Sequence, residues 1–286
     1  MTELFVQKIS NHGQPVEKQH VPSVSVLMAV YWSDDPYWLG EALTSLVKQT
    51  LAPGEVVVVE DGPLPSALDQ VLERFRDRLS LRRLSRGTSD GLGAALAWGL
   101  ERCRNDLVAR MDADDVCEPE RLEVQAQAFS DAPELSVLGS HATVIDEHSQ
   151  RIDRRRVPCP EEAIYRRIWA CPFIHSAVML RREAILRIGN YNSRLRTRQD
   201  HDLWYRCAEA GLHMRNLEAP LLKYREASQP KNRRLKVVLQ HVAINLRGCY
   251  RVGVGVSGWV GSFGPLVLYF VPRTLADALR RRLKFS

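Results

Sequence analysis

The chain has 286 residues, which suits one large domain or a domain with an appendage and allows a sizeable core. Its net charge of +6 is uneven: from Lys231 onward eleven Lys and Arg face one acid, Asp277, leaving 29 bases against 33 acids, a net of −4, in the first 230 residues. The body therefore lacks the basic footprint of a nucleic-acid binder, and the tail's excess fits an anionic membrane surface. The six cysteines form no C-x-x-C pair, so neither a zinc site nor a disulfide framework is expected, and a reducing cytosol fits. The first twenty residues are polar and carry no secretory signal.

Residues 1–22 read as a loose lead-in. SVSVLMAVY, residues 23–31, is a β-branched, apolar first strand. Asp34, Asp35 and Pro36 start a helix through Leu39, Ala42, Leu43, Leu46 and Val47. Residues 56–59 form a second strand ending in Glu60-Asp61-Gly62. The spacing of Leu68, Val71, Leu72 and Phe75 predicts a helix over 66–78. A short strand over 79–84 and a helix over 91–103 follow. Leu107-Val108-Ala109-Arg110-Met111 then reads as a buried central strand, and three carboxylates, Asp112, Asp114 and Asp115, follow at once. Strands alternating with helices make a doubly wound α/β half. Beyond it the pattern predicts a helix over 118–129, strands over 135–138 and 142–145, a basic extended segment over 151–157 and a helix over 160–170. A strand over 176–180, a short helix over 182–188, a helix over 199–210 and a strand over 219–222 complete the body.

The acidic run is the centre of the chemistry. Open α/β sheets bind ligands where their strands end. Clustered carboxylates there suit Mg²⁺ or Mn²⁺. On a continuing strand Asp112 and Asp114 would point the same way. The plain alternative is a solvated acidic turn with Asp115 as a helix cap. The first strand lacks G-x-G-x-x-G, which argues against a dinucleotide-binding domain. Asp61 either accepts a hydrogen bond from a base or ribose or belongs to an ordinary Asp-Gly turn. Arg86, before Gly91-Leu92-Gly93, is a phosphate contact or a surface loop residue. Asp200 and Asp202 are caps or a general base. His175 is a satisfied, partly buried histidine or a group near the site. Arg225 is a surface charge or a phosphate clamp.

The series VSVLMAVYW, VVVVEDG, GLGAALAWGL, LVARMDADD, PFIHSAVMLRR and QDHDLWYRCAEAG, in that order over residues 23–225, resembles glycosyltransferase family 2. The likeness is greatest to bacterial enzymes that build exopolysaccharide and O-antigen units, the amylovoran type among them. The resemblance implies a GT-A fold: a doubly wound mixed sheet flanked by helices. It implies inverting transfer from a nucleotide sugar, with UDP the expected carrier, to a lipid-linked saccharide, assisted by Mn²⁺ or Mg²⁺. By the same resemblance Ala29 and Tyr31 border the nucleotide and Asp61 holds the base. Asp112 contacts ribose or metal, Asp114 holds the metal, and Asp200 is the catalytic base. Gln199 stands where the family has Glu, which removes a charge beside Asp200.

Residues 231–286 are expected to form a helical, membrane-associating tail after a catalytic domain of residues 23–230. Residues 252–271 carry no charge and have the length of a spanning helix, about 20 residues. Their glycines and Gly264-Pro265 instead predict a break into two pieces. A span would also place Arg280, Arg281, Arg282 and Lys284 outside, against the positive-inside tendency. The expectation is a peripheral or monotopic enzyme on the cytoplasmic face of the inner membrane. Packing on the catalytic domain or across a homodimer is the alternative. Two rival functions remain at this stage. Asp112-Ala113-Asp114-Asp115-Val116 also fits the D-x-D-x-[TV] pattern of haloacid-dehalogenase-like phosphatases, though three strands precede it here. The other is a transferase fold that only binds sugar or lipid.

Overall fold

The computed structural model describes residues 22–85, 87–226 and 235–271. The lead-in, Arg86 and the terminal basic cluster lie outside these residues.

β1 (Val24–Tyr31) and β2 (Glu55–Asp61) are the apolar runs read from the sequence. With β3 (Leu81–Ser85) and β4 (Leu107–Met111) they form a parallel block in the order β3-β2-β1-β4. Alternate residues of β1 face opposite sides, as a period of two requires. Val26, Met28 and Val30 pack with Leu39 and Leu43 of α1 (Pro36–Val47), Leu68 and Leu72 of α2 (Ser66–Phe75), and Leu122 and Phe129 of α4 (Arg121–Asp131). Leu27, with Val57 and Val59, packs against Leu96 and Leu100 of α3 (Leu92–Arg102). Helices on both faces of a largely parallel block give the expected doubly wound architecture.

The sheet then turns mixed. β4 pairs antiparallel with β8 (Met179–Arg181), and β8 pairs antiparallel with β6 (Leu135–Ile145). β6 lies parallel to β9 (His213–Arg225), whose far side holds β5 (Val116–Cys117). β7 (Arg151–Arg155) pairs with β6 as a hairpin. The two strands expected over 135–145 are one strand. Gly139-Ser140-His141 looked like an interruption, but these residues are buried and the ladder to β9 absorbs them with register shifts. The strand expected over 219–222 is the middle of the thirteen-residue β9. The helix expected over 160–170 is α5 (Glu161–Arg166) followed by a 3-10 turn, Ile168–Ala170. Residues 175–177 form a second 3-10 turn rather than the start of a strand.

α6 (Arg182–Arg187) and α7 (Gln199–Glu209) precede β9, and α8 (Leu235–Val252) follows it. The uncharged stretch is two short helices, α9 (Val256–Ser262) and α10 (Gly264–Phe270), divided at Phe263 just before Pro265. No helix among the described residues is long and apolar enough to cross a membrane. α8 is no loose appendage. Gly248 leaves room for the ring of Tyr205 on α7, which any Cβ would strike. Cys249 is fully buried in the core that α7 shares with the sheet.

Candidate active site

β4 ends at Met111, and the chain turns at Ala113 and Asp114 before β5 begins. Asp112 and Asp114 are therefore not two residues of one continuing strand. The turn groups them, and one carboxylate oxygen from each of Asp112, Asp114 and Asp115 lies within 4.8 Å of the others. Asp115 is no helix cap. It is buried, and its Oδ1 accepts from the Arg225 amide at 2.8 Å. Its Oδ2 is buried without a hydrogen-bond partner.

Arg110 is buried at the end of β4, and its guanidinium grips Asp112 through both terminal nitrogens, Nη1 reaching Oδ2 at 2.7 Å. An arginine inside an apolar strand was visible in the sequence; what it faces was not. Asp34 joins the cluster unforeseen. Asp35 caps α1 by accepting from the Tyr37 and Trp38 amides, while Asp34 Oδ2 accepts from the Tyr31 amide at 2.8 Å. Burial pushes Asp34 up to about 6, and the Asp112 charge adds to the rise. Burial also pushes Asp114 up to about 6, with Asp112 and Asp34 adding. Burial, then Asp112 and Asp114, drives Asp115 well above the ordinary carboxylate range. Crowded, partly dehydrated carboxylates with one orphaned oxygen are a donor set short of a positive charge. They fit a hard divalent cation.

Arg225 is neither a surface charge nor a free phosphate clamp. Its side chain is fully buried. Nε donates to Asp114 O at 2.8 Å, Nη1 to Asp146 O at 2.8 Å and Ser149 Oγ at 3.0 Å, and Nη2 to Glu41 Oε2 at 2.8 Å. The guanidinium also lies over Trp38. It braces the acidic turn from behind.

Ala29 and Tyr31 stand at the end of β1, beside Val59 and Asp61 in register. Asp61 Oδ1 accepts from the Asp90 and Gly91 amides at 2.9 and 3.2 Å, which ties the loop before α3 to the end of β2. Asp61 is thus more than an ordinary turn residue.

Asp200 lies in the first turn of α7. The residue before the helix is Arg198 in the left-handed region (φ 63°), with no side-chain cap, so Asp200 does not serve as one. Cys171 Sγ is 3.6 Å from Asp200 Oδ2, and burial pushes that thiol up, so it stays neutral. Burial works to raise the Asp200 carboxyl. His175, His201, the His201 amide and Arg198 outweigh it and hold the carboxyl below its usual range. Burial drives His175 itself down to about 3 and His201 to about 4. At neutral pH both are therefore uncharged, and the amide and Arg198 remain to favour the Asp200 carboxylate. Asp202 pairs with Arg206 Nε at 2.9 Å.

His175 is satisfied and also central. Its Nε2 meets Tyr191 Oη at 2.9 Å, and its ring sets an edge on Trp204. Both His175 and Tyr191 feel the charges of Arg110, Asp112 and Asp200. This buried aromatic pair is thus within electrostatic reach of both the acidic turn and the carboxylate on α7.

This sheet, with its acidic turn at the end of the fourth strand, is a GT-A fold. The chain belongs to glycosyl transferase family 2, whose profile matches residues 25–189, and it is a glycosyltransferase. It is 36% identical over 211 residues to the amylovoran biosynthesis glycosyltransferase AmsE of Erwinia amylovora, covering 73% of this chain and 79% of that one. It is 31% identical over 214 residues to the UDP-Gal:alpha-D-GlcNAc-diphosphoundecaprenol beta-1,3-galactosyltransferase of Escherichia coli, covering 74% and 78%. Among solved structures, S. aureus TarS 1-349 in complex with UDP-GlcNAc superposes with a TM-score of 0.63 at 18% identity, over 90% of this chain and 83% of that one.

Proposed function

We propose that this glycosyltransferase moves a sugar, with inversion, from a nucleoside-diphosphate sugar to a saccharide carried on a lipid diphosphate, in the making of a cell-surface polysaccharide. The observation that carries the reading is the carboxylate cluster in the turn after β4, where one oxygen each from Asp112, Asp114 and Asp115 lies within 4.8 Å of the others. Asp112 and Asp200 both act electrostatically on the buried pair His175 and Tyr191, which supports placing the α7 carboxylate at the same site. A UDP carrier and a lipid diphosphate acceptor are named for the Escherichia coli relative and are taken over from it.

In this reading Ala29, Tyr31 and Asp61 line the nucleotide at the ends of β1 and β2. Asp112, held by Arg110, offers its remaining acceptor capacity to the ribose or the metal. Asp114, with Asp115 beside it, holds a Mn²⁺ or Mg²⁺ ion. Such an ion supplies positive charge where the diphosphate gathers negative charge as it leaves. Asp200 takes the proton of the acceptor hydroxyl. The hydroxyl oxygen bonds to the anomeric carbon as the bond from that carbon to the donor phosphate oxygen breaks. The nucleoside diphosphate departs from the opposite face, so the anomeric configuration inverts. Neutral Cys171, in contact with Asp200 Oδ2, positions the base without competing for the proton.

The place of Asp112 weakens the phosphatase reading: that motif belongs on the first strand of its fold, whereas here the acidic turn follows the fourth strand. The test is a panel of nucleotide sugars, scored for metal-dependent nucleotide release and for transfer to a sugar-diphosphate-lipid. Phosphate release from a simple phosphomonoester, with no nucleotide release from any donor, would overturn the reading.

A further inference from the structure

The apolar side of α9 faces outward. Val256, Trp259, Val260 and Phe263 recur at i, i+3, i+4 and i+7 and are all exposed, while Gly258 and Ser262 on the opposite side are buried. That is an amphipathic stripe turned inside out. Val267 and Phe270 of α10, the next helix, are exposed too, at 61% and 76%. Water alone is a poor neighbour for a contiguous patch of this kind.

We infer that this stripe is a docking face that seats the enzyme in the plane of an anionic bilayer, with Asp200 on the side of the molecule that faces it. Charge selects the occupant. Between Glu226 and Asp277 the sequence has no acid, and the uncharged stretch lies between the exposed Arg247 on one side and Arg273 on the other, while Arg251 is paired with Glu209. An apolar wedge between basic flanks matches acyl chains below a layer of anionic headgroups. A second copy of the chain fits less well, because a two-fold contact through this face would bring both sets of basic flanks together.

The docking face is built into the catalytic side of the molecule. Trp169 lies against Gly258 and Gly261 of α9, where any Cβ at Gly261 would strike the indole. Asn245 Nδ2 of α8 donates to Trp169 O at 3.4 Å. Two residues on from Trp169 is Cys171, whose thiol meets Asp200. His201, the next residue after Asp200, contacts Ile168 O at 2.7 Å through Nε2. The base and the outer stripe are thus linked through the 3-10 turn and α9, so a bilayer at the stripe would lie on the side of the molecule that carries Asp200. A saccharide on a lipid diphosphate would approach the base from that side. This last step rests on the transfer reading; the bilayer contact does not.

The test uses the full chain and vesicles, with no nucleotide present. Wild-type protein should float with vesicles of phosphatidylcholine containing a quarter phosphatidylglycerol, and at least tenfold less with phosphatidylcholine alone. The double variant Val260→Glu, Phe263→Glu should lose flotation at least tenfold while keeping its melting temperature and its nucleotide release in solution. Its transfer to a vesicle-embedded acceptor should fall by a similar factor, and transfer to a short, water-soluble acceptor should not. Failure of wild-type protein to float, or flotation of the double variant like wild type, would overturn the inference. So would a lipid-free dimer that the same variant dissolves, since the stripe would then cover a second copy. A protein that floats but transfers no sugar would sink the transfer reading and leave the bilayer contact standing.

Discussion

The backbone amide of Arg225 donates to Asp115 Oδ1 across 2.8 Å, joining the end of β9 to a turn 110 residues earlier in the chain. The Arg225 side chain holds Asp114 O and Glu41 from the same position. The acidic turn thus keeps its shape through a strand that belongs to the other half of the sheet. Arg225→Met should leave the carbonyls of Asp114 and Asp146 without their guanidinium donor and cost on the order of 1–3 kcal/mol, the scale for unsatisfied buried groups, while Glu41, partly exposed, keeps Ser149. The amide contact to Asp115 would survive. Denaturant unfolding measures the loss, and an unchanged midpoint would show that Arg225 braces nothing.

The carboxylates of the turn should govern divalent metal and nucleotide binding. Asp114→Ala is expected to abolish transfer and weaken nucleoside-diphosphate binding, with circular dichroism unchanged because the side chain lies at the mouth of the turn. Asp115→Asn keeps the bond from the Arg225 amide and removes the charge, so metal affinity should drop while the fold persists. Full transfer by Asp114→Ala in chelator-treated buffer would refute the assignment.

Asp200→Asn is nearly isosteric and cannot accept the proton. Turnover should fall roughly 10²–10⁴-fold with donor binding retained, as expected for a lost general base. Asp202→Asn weakens a partly buried pair with Arg206, which should lower stability, and should transfer normally. The reverse pattern would move the base by two residues.

The pH dependence follows from Asp34 and Asp114, both raised to about 6 by burial. A carboxyl raised on folding binds more protons in the folded state. Its contribution to stability is whole below the unfolded value and is lost as pH rises through about 6. Metal-free protein should therefore melt higher near pH 5 than near pH 7.5 as far as these two groups decide. Saturating Mn²⁺ should reverse the order, since protons compete with the ion below pH 6. Calorimetry with and without chelator reads both curves; parallel curves would mean that the ion binds elsewhere.

Much of this molecule was legible in local pattern. The apolar runs of β1, β2 and β4, the periodicity of α1 to α3, the Asp35 cap and the break before Pro265 all depend on neighbours within a few residues, which the sequence displays directly. Motif order was enough to single out Asp112, Asp114 and Asp200. The fates of the charges were not legible. Arg110 and Arg225 look alike in sequence, yet one grips a site carboxylate and the other is walled in behind it. Asp34 stands beside a residue that was named, and only the packing brings it into the cluster. Ser140 and His141 broke the strand pattern of β6 because a strand buried by partners on both sides no longer has to alternate. Pattern reports how often a side chain turns inward. Only the tertiary structure decides what it meets there, because burial and partners are set by residues that chain order does not place beside it, such as Glu41 for Arg225, 184 positions away.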